Sequence, residues 1–372
     1  MRVGVPKEIK NHEYRVAITP SGVHELTQHG HTVVIEQGAG VGSSIADPEF
    51  ESAGAKISTR EAVWKDSEMI LKVKEPIEPE YNLMQEDQIL FTFLHLAASE
   101  PCTMALLNQK VTAIAYETVE LEDRSLPLLA PMSEVAGRLA TQVGANALMK
   151  AHGGRGTLIG GVSGVQAGKV VVIGGGVAGA NAAAIALGMQ AQVTLLDKSV
   201  GRLRQLDAIY QGHLQTVTSN MYEIEKAVLD ADLVVGAVLV PGAKAPKLIS
   251  NELVKRMKPG SVLVDISIDQ GGCFEDSRPT THADPTYNVH NSIFYCVANM
   301  PGAVPHTSTY ALTNVTLPYA IAIADKGWKQ ALKDDDALAR GLNTFNGQLT
   351  YQAVAEAFNL SHVSTESVIA VD

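Results

Sequence analysis

Residues 169–197 read KVVVIGGGVAGANAAAIALGMQAQVTLLD, and no other stretch restricts the fold as strongly. An apolar run at Val170–Ile173 predicts a buried strand, and Gly174-x-Gly176-x-x-Gly179 predicts a tight turn. Ala180–Gly188 then predicts a helix and Gln192–Leu196 a second strand. Between Val170 and Leu196 there is no charged residue, long enough to span a bilayer. The glycines, Asn181, Gln190 and Gln192 interrupt it, so the run reads as strand, turn, helix and strand inside an α/β domain.

That order has a chemical meaning. Gly174 permits the turn, Gly176 lets the backbone approach a pyrophosphate, and Gly179 lets helix and strand pack closely. The helix N-terminus offers amide donors and partial positive charge. Asp197 ends the second strand, eighteen residues after Gly179, where a carboxylate accepts from both hydroxyls of an adenosine ribose. It repels a 2′-phosphate, which favours NAD over NADP, while Arg202 and Arg204 pull the other way. Taken alone, Asp197 as a helix cap and the glycines as a plain or flavin-binding turn fit the same letters.

The 372 residues are enough for two or three domains, each able to bury its own core. Forty acidic against 29 basic residues leave a net charge of −11, with no basic surplus to neutralise nucleic-acid phosphates. Cys102, Cys273 and Cys296 match neither a redox pair nor a zinc site, and an odd count fits a reducing compartment. The N-terminus, MRVGVPKEIK, enters a strand at once without an apolar signal core, so a cytoplasmic location is expected.

Before the glycine turn, short apolar runs alternate with helical stretches. Met1–Val5, Thr32–Glu36, Met69–Lys74, Gln88–Leu94 and Val111–Ala115 are expected strands, and Pro48–Gly54 a short helix. Such alternation means βαβ units and a largely parallel sheet. Met132–Lys150 reads as a helix capped by Ser133, Leu233–Val240 and Ser261–Ile266 as further strands. A long helix is expected over Thr307–Lys326, with Pro318 as a place for a bend, and a mixed, helical tail from Asp334. The two long helices bracket the glycine unit. The expected architecture is α/β with two Rossmann-like doubly wound domains. The nucleotide domain, 131–306, is inserted into a discontinuous domain formed by 1–130 plus 307–372, with a ligand cleft between them.

Open α/β sheets bind ligands beyond the carboxyl ends of their strands. Polar residues there are Lys74 after MILKV, His95 after ILFTFL, Asp265 and Asp269 in VDISID, and Asn299 and Met300 after FYCVA, with Arg15 in the loop NHEYRVAITP. Each has an ordinary role open to it: a solvated cation, a structural histidine, a turn-capping aspartate. Together, two cations, an imidazole and a carboxylate suit oxidation of a small anionic substrate. Arg and Lys clamp a carboxylate, His exchanges a proton, and Asp orients water or stabilises a transient iminium.

MRVGVPKEIKNHEYRVAITP, LKVKEP, FTFLHLAA, MSEVAGRLA, IGGGVAGANAA, DISIDQGG and NMPGAVPHTSTYALTNVTLPY carry a resemblance along essentially the whole chain. The chain resembles the bacterial alanine dehydrogenases. The resemblance implies reversible NAD-dependent deamination of L-alanine to pyruvate and ammonium. It places the family's carboxylate contacts on Arg15 and Lys74 and its acid/base pair on His95 and Asp269, leaving Asp265 structural. Its NAD contacts fall on Ser133, Val177, Ala178, Asp197, Arg202, Ser219, Leu239, Ile266, Asp269, Arg278, Asn299 and Met300, beside the glycines. A homohexamer is implied too. Some relatives hold a divalent ion between subunits through a Glu matching Glu117 and a later His; Lys326 stands at that later position, so no metal is expected. Two other readings share the resemblance: a transhydrogenase subunit that passes hydride between dinucleotides, and a silent NAD-sensing module.

Overall fold

A computed structural model describes residues 1–238 and 245–370. The chain divides into two units, 1–132 with 304–372, and 133–303.

The first unit is built on an eight-stranded sheet. Its spatial order is Gln348–Leu349, Leu342–Phe345, Thr112–Ala115, Ile89–Thr92, Met69–Leu71, Arg2–Val5, Thr32–Glu36, Lys56–Ser58. The six strands from the first half of the chain pair in parallel and run 3-2-1-4-5-6, the doubly wound order. Val3, Val5, Met69, Ile70, Phe91 and Ile114 are all buried, as expected where helices cover both faces of a sheet. The strand order reverses between Arg2–Val5 and Met69–Leu71, so the chain leaves these neighbours in opposite directions and opens a crevice at their carboxyl ends.

Two details differ from the sequence reading. The strands are shorter than the apolar runs: Met69–Leu71 stops before Lys72 and Ile89–Thr92 before Phe93. The tail contains helices but also a hairpin, Leu342–Phe345 with Gln348–Leu349, which pairs antiparallel with Thr112–Ala115. Its turn is Asn346-Gly347, both at positive φ, a two-residue hairpin signal that lay in plain sight. The long helix is Pro305–Lys326, with Pro305 at its first turn and Pro318 inside it.

The second unit carries seven strands in the order Thr286–Val289, Ser292–Tyr295, Val262–Asp265, Leu233–Gly236, Lys169–Ile173, Gln192–Asp197, Gln215–Thr218. All pairs are parallel except the hairpin at 286–295. Numbered along the chain this is 3-2-1-4-5-7-6: the first five strands follow the doubly wound order, Ser292–Tyr295 takes the sixth place, and the reversal falls at Lys169–Ile173, the strand that feeds the glycine turn. One core, including Ile173, Leu196, Val234, Leu263, Phe274 and Phe294, fills one side of it. The helix expected to begin at Ser133 spans Ala130–Ala147, so Ser133 lies in its first turn and does not cap it. Among the described residues no helix is long and apolar enough to cross a membrane.

Candidate active site

In the first unit, the sequence-derived residues sit just beyond the carboxyl ends of adjacent strands. Arg15 is buried, 2% exposed, in the loop after Arg2–Val5. Its Nε and Nη2 donate to the two oxygens of Glu13 at 2.7 and 2.6 Å, and its backbone N–H adds a third bond at 3.1 Å. Nη1 points to Met132 Sδ, 3.0 Å away. Burial opposes charge on Glu13, yet the Arg15 guanidinium and its hydrogen bonds prevail and bring the carboxyl down to about 2. The loop is pinned further on: the Val16 N–H donates to Thr309 Oγ1 at 3.1 Å, on the helix Pro305–Lys326. Arg15 is therefore a fixed cation with a partner on each of its guanidinium nitrogens, two on Glu13 and one on Met132 Sδ.

Lys74 and His95 follow the next two strands. Lys74 is half-buried, and its Nζ lies 6.0 Å from the centroid of the buried Phe93 ring. His95 stacks parallel to the same ring, with centroids 5.8 Å apart. Phe93 packs edge-on against the fully buried Tyr116 at 5.1 Å, which fixes the aromatic plane beneath both polar groups. His95 takes a left-handed backbone, φ 49°, uncommon for a non-glycine residue. Glu117 accounts for it: Oε1 accepts the His95 N–H at 2.6 Å, and both oxygens lie 3.2 Å from the Leu94 N–H. The same carboxylate stands 3.8 Å from His95 Nδ1, with the imidazole exposed.

In the second unit, the glycine turn has the form that the motif requires. Gly174 adopts φ 102°, and a Cβ on it would fall 2.5 Å from Ala237 O. A Cβ on Gly179 would strike Gly174 O at 1.8 Å, so helix Val177–Gly188 touches the strand before it. A Cβ on Gly176 would meet nothing within 4 Å. The backbone is thus close-packed on one side and open at the helix N-terminus, where Val177 is exposed, as a bound pyrophosphate needs. Asp197 Oδ2 accepts the Gly175 N–H at 2.6 Å and Oδ1 the Ser199 N–H at 2.7 Å, while Arg202 Nε donates to Gly175 O at 2.6 Å. Ser219 joins this edge through its N–H to Asp197 O, at 2.9 Å. These residues fit a nicotinamide dinucleotide.

The two aspartates after Val262–Asp265 have different surroundings. Asp265 is buried and accepts from the N–H groups of Ser267 and Cys273 at 3.0 and 2.9 Å, from the Phe274 N–H at 3.4 Å, and from Ser277 Oγ. Burial raises its pKa against the pull of those donors. Asp269 is exposed on the 3-10 turn Ile266–Gln270 that Asp265 caps. Ile266 begins that turn. Arg278 follows it, its guanidinium 4.0 Å over Tyr287. Asn299 O accepts from His282 Nε2 at 2.7 Å, and Met300 is buried beside it. Ser133 and Ala178 are half-buried. Leu239 lies outside the described residues.

Several supports were not visible in the letters. Glu13 and Glu117 are glutamates among many, and only the fold sets them against Arg15 and His95. Gly137 lies against the glycine turn: a Cβ on it would fall 2.1 Å from Ala178 O. Lys247 Nζ donates to the carbonyls of Gly271, Gly272 and Phe274 at 2.6, 3.0 and 2.8 Å, closing the loop that carries Asp269. Among the described residues no group of three or more His, Cys, Asp or Glu is placed to hold a metal, and Lys326 pairs with Asp334 at 2.6 Å.

Comparison with known proteins places this geometry. Residues 4–136 match the family model for the N-terminal domain of alanine dehydrogenase/PNT, and residues 140–352 that for its C-terminal domain. An alanine dehydrogenase of Mycolicibacterium smegmatis is 60% identical over 371 residues, covering 100% of both chains. The solved structure of an L-alanine dehydrogenase superposes with a TM-score of 0.94 at 52% identity, over 96% of this chain and 99% of that one. A transhydrogenase from Sinorhizobium meliloti superposes with a TM-score of 0.81 at 25% identity, over 95% of this chain and 100% of that one.

Proposed function

The chain belongs to the alanine dehydrogenase/PNT family and is an amino-acid oxidoreductase interconverting L-alanine with pyruvate and ammonium; from that premise we propose which residues do the chemistry and which dinucleotide they use. The substrate domain is 1–130 with 307–372, and the dinucleotide domain is 131–306. The cofactor is NAD. Gly174, Gly176, Val177, Ala178 and Gly179 would hold its phosphates, and Asp197 would read its ribose. Ser133, Arg202, Ser219, Leu239, Ile266, Asp269, Arg278, Asn299 and Met300 complete the contacts. Asp197 at the strand end favours NAD over its 2′-phosphorylated form.

Arg15 and Lys74 hold the substrate carboxylate. Arg15 supplies directed donors from a guanidinium that Glu13 keeps from rotating, and Lys74 supplies a compact charge. Bound NAD supplies the acceptor for the hydride that leaves the α-carbon. The resulting iminium takes up water, with His95 and Asp269 accepting and returning protons as the carbinolamine collapses to pyruvate and ammonium. Glu117 fixes the His95 backbone, so the imidazole is presented without a search for its conformation.

The observation that carries this reading is the pairing of Lys74 and His95 over one buried ring, Phe93. It supports reading Lys74 as a carboxylate-binding cation and His95 as a proton carrier at adjacent strand ends. The test is NADH formation followed at 340 nm with L-alanine and NAD. A rise with alanine, and a much weaker one with NADP, supports the reading. No rise with alanine overturns it, and hydride passage to a second dinucleotide without alanine favours the transhydrogenase role.

The same reading assigns the protein to the cytoplasm, in keeping with three buried free thiols, Cys102, Cys273 and Cys296. It also assigns a homohexamer, which light scattering of the purified protein tests directly.

A further inference from the structure

Below Lys74 lies a charge cluster that the chemistry above does not use. Lys72, the first residue after the strand Met69–Leu71, is wholly buried, and its Nζ donates to Glu8 at 3.0 Å and to Glu80 at 2.8 Å. Glu8 follows the neighbouring strand Arg2–Val5, at the point where the strand order reverses. Its second oxygen turns to the main chain: Oε1 accepts the N–H of Val73 at 2.6 Å and of Lys74 at 3.2 Å. Glu80 Oε2 accepts the Ile77 N–H at 3.0 Å, which ties down the chain after Lys74. On the other side of the residue, the buried Thr92 Oγ1 donates to the Lys74 carbonyl at 3.1 Å.

Two carboxyl groups share one buried ammonium; burial pushes Glu8 up while Lys72 pulls it down. Such clusters rarely improve stability over apolar packing. Their best-attested use is to fix an arrangement, and here the main-chain group fixed at both ends is Lys74. We propose that Glu8 and Thr92 are positioning residues for Lys74: Glu8 holds its amide, Thr92 its carbonyl, and Lys72 keeps the Glu8 carboxyl group aimed.

The chemistry of Glu8 is demanding. It faces three donors, and only a carboxylate has acceptors alone on both arms. Glu8→Gln would set an NH2 group against Lys72 or the Val73 and Lys74 amides. Thr92→Val keeps the shape and removes one donor. The inference rests on the reading of Lys74 as a carboxylate ligand, and the test separates the two.

Steady-state kinetics with pyruvate, ammonium and NADH are measured for the wild type, E8Q, T92V, K74A and the doubles E8Q/K74A and T92V/K74A, with NADH affinity read by fluorescence. E8Q is expected to raise KM for pyruvate about tenfold and T92V several-fold, as lost hydrogen bonds to charged and neutral partners do, while kcat stays within about twofold. NADH affinity is expected to stay unchanged. In the K74A background neither change is expected to lower kcat/KM further, because the side chain being aimed is gone. A purely structural role would add its loss in both backgrounds and is excluded by that result. Should E8Q fail to fold, T92V and T92V/K74A decide the matter by the same criterion. If K74A raises KM and T92V does not, the positioning role is wrong while Lys74 keeps its place. If K74A leaves KM unchanged, the reading of Lys74 itself fails.

Discussion

Asp197 and Arg202 hold opposite ends of one residue: Asp197 Oδ2 takes the Gly175 N–H at 2.6 Å, and Arg202 Nε gives to the Gly175 carbonyl at 2.6 Å. The carboxylate proposed to read the ribose is thus also a strut of the glycine turn. Asp197→Ala is expected to do two things at once. Affinity for NADH falls about tenfold, the scale of a lost charged hydrogen bond, and the preference for NAD over NADP relaxes. Comparing kcat/KM for the two dinucleotides checks it, and unchanged selectivity would refute the assignment.

His95→Ala removes the proposed proton carrier. The expected loss in kcat is about 10²–10⁴-fold, the ordinary range for general acid–base catalysis. NADH binding, followed by fluorescence, stays intact. A near-normal kcat would move the role elsewhere.

Glu13→Gln leaves a buried guanidinium without its counter-ion. Breaking one partner of such a pair costs about 3–5 kcal/mol. The lowered pKa of Glu13 sets the pH dependence of the difference. The stabilisation is full above the ordinary carboxyl value of 4.5 and is lost as pH falls toward about 2. Melting temperatures of wild type and E13Q are therefore expected to lie far apart at pH 7 and to converge in acid. A gap independent of pH would contradict the pairing.

Gly137→Ala would place a methyl 2.1 Å from Ala178 O, where only backbone can yield. The expected cost is about 1–3 kcal/mol of overpacking, with weaker NADH binding because helix Val177–Gly188 is displaced at its N-terminus. Denaturant unfolding and NADH titration check it together. A variant with wild-type affinity would show that the turn tolerates the shift.

Asp265→Ala strips the acceptor from the Ser267 and Cys273 amides and from Ser277 Oγ. The loop bearing Asp269 loosens, and kcat is expected to fall while Cys273 gains reactivity toward a thiol reagent. Burial and the Asp265 carboxylate together hold the Cys273 thiol pKa well above its usual value. Unchanged labelling of Cys273 would argue that Lys247, on the carbonyls of the same loop, suffices.

How much of this was legible varied with the range of the interactions. The glycine turn could be read because its parts are adjacent: strand, Gly174, Gly176, Gly179, helix and Asp197 follow one another. The hairpin Leu342–Leu349 is less legible within a helical tail, although Asn346-Gly347 is a local turn signal, because its pairing partner, Thr112–Ala115, stands more than 200 residues away. Ser133 does not cap its helix for the opposite reason: the helix begins at Ala130, before the residue with the best capping side chain.

The order of apolar runs and turns in the sequence specified two parallel, doubly wound sheets and put Arg15, Lys74, His95 and Asp269 just past strand ends, since side-chain periodicity and turn chemistry are local properties. Which carboxylate serves which cation was decided only by tertiary structure. Glu8, Glu13 and Glu117 are interchangeable as letters. They differ because strand order sets Glu8 under the Lys74 amide, a loop wraps Glu13 around Arg15, and the strand Thr112–Ala115 delivers Glu117 to the His95 N–H. A buried charge takes its role from the partner that folding brings within about 3 Å, and that distance is not written in any one stretch of chain.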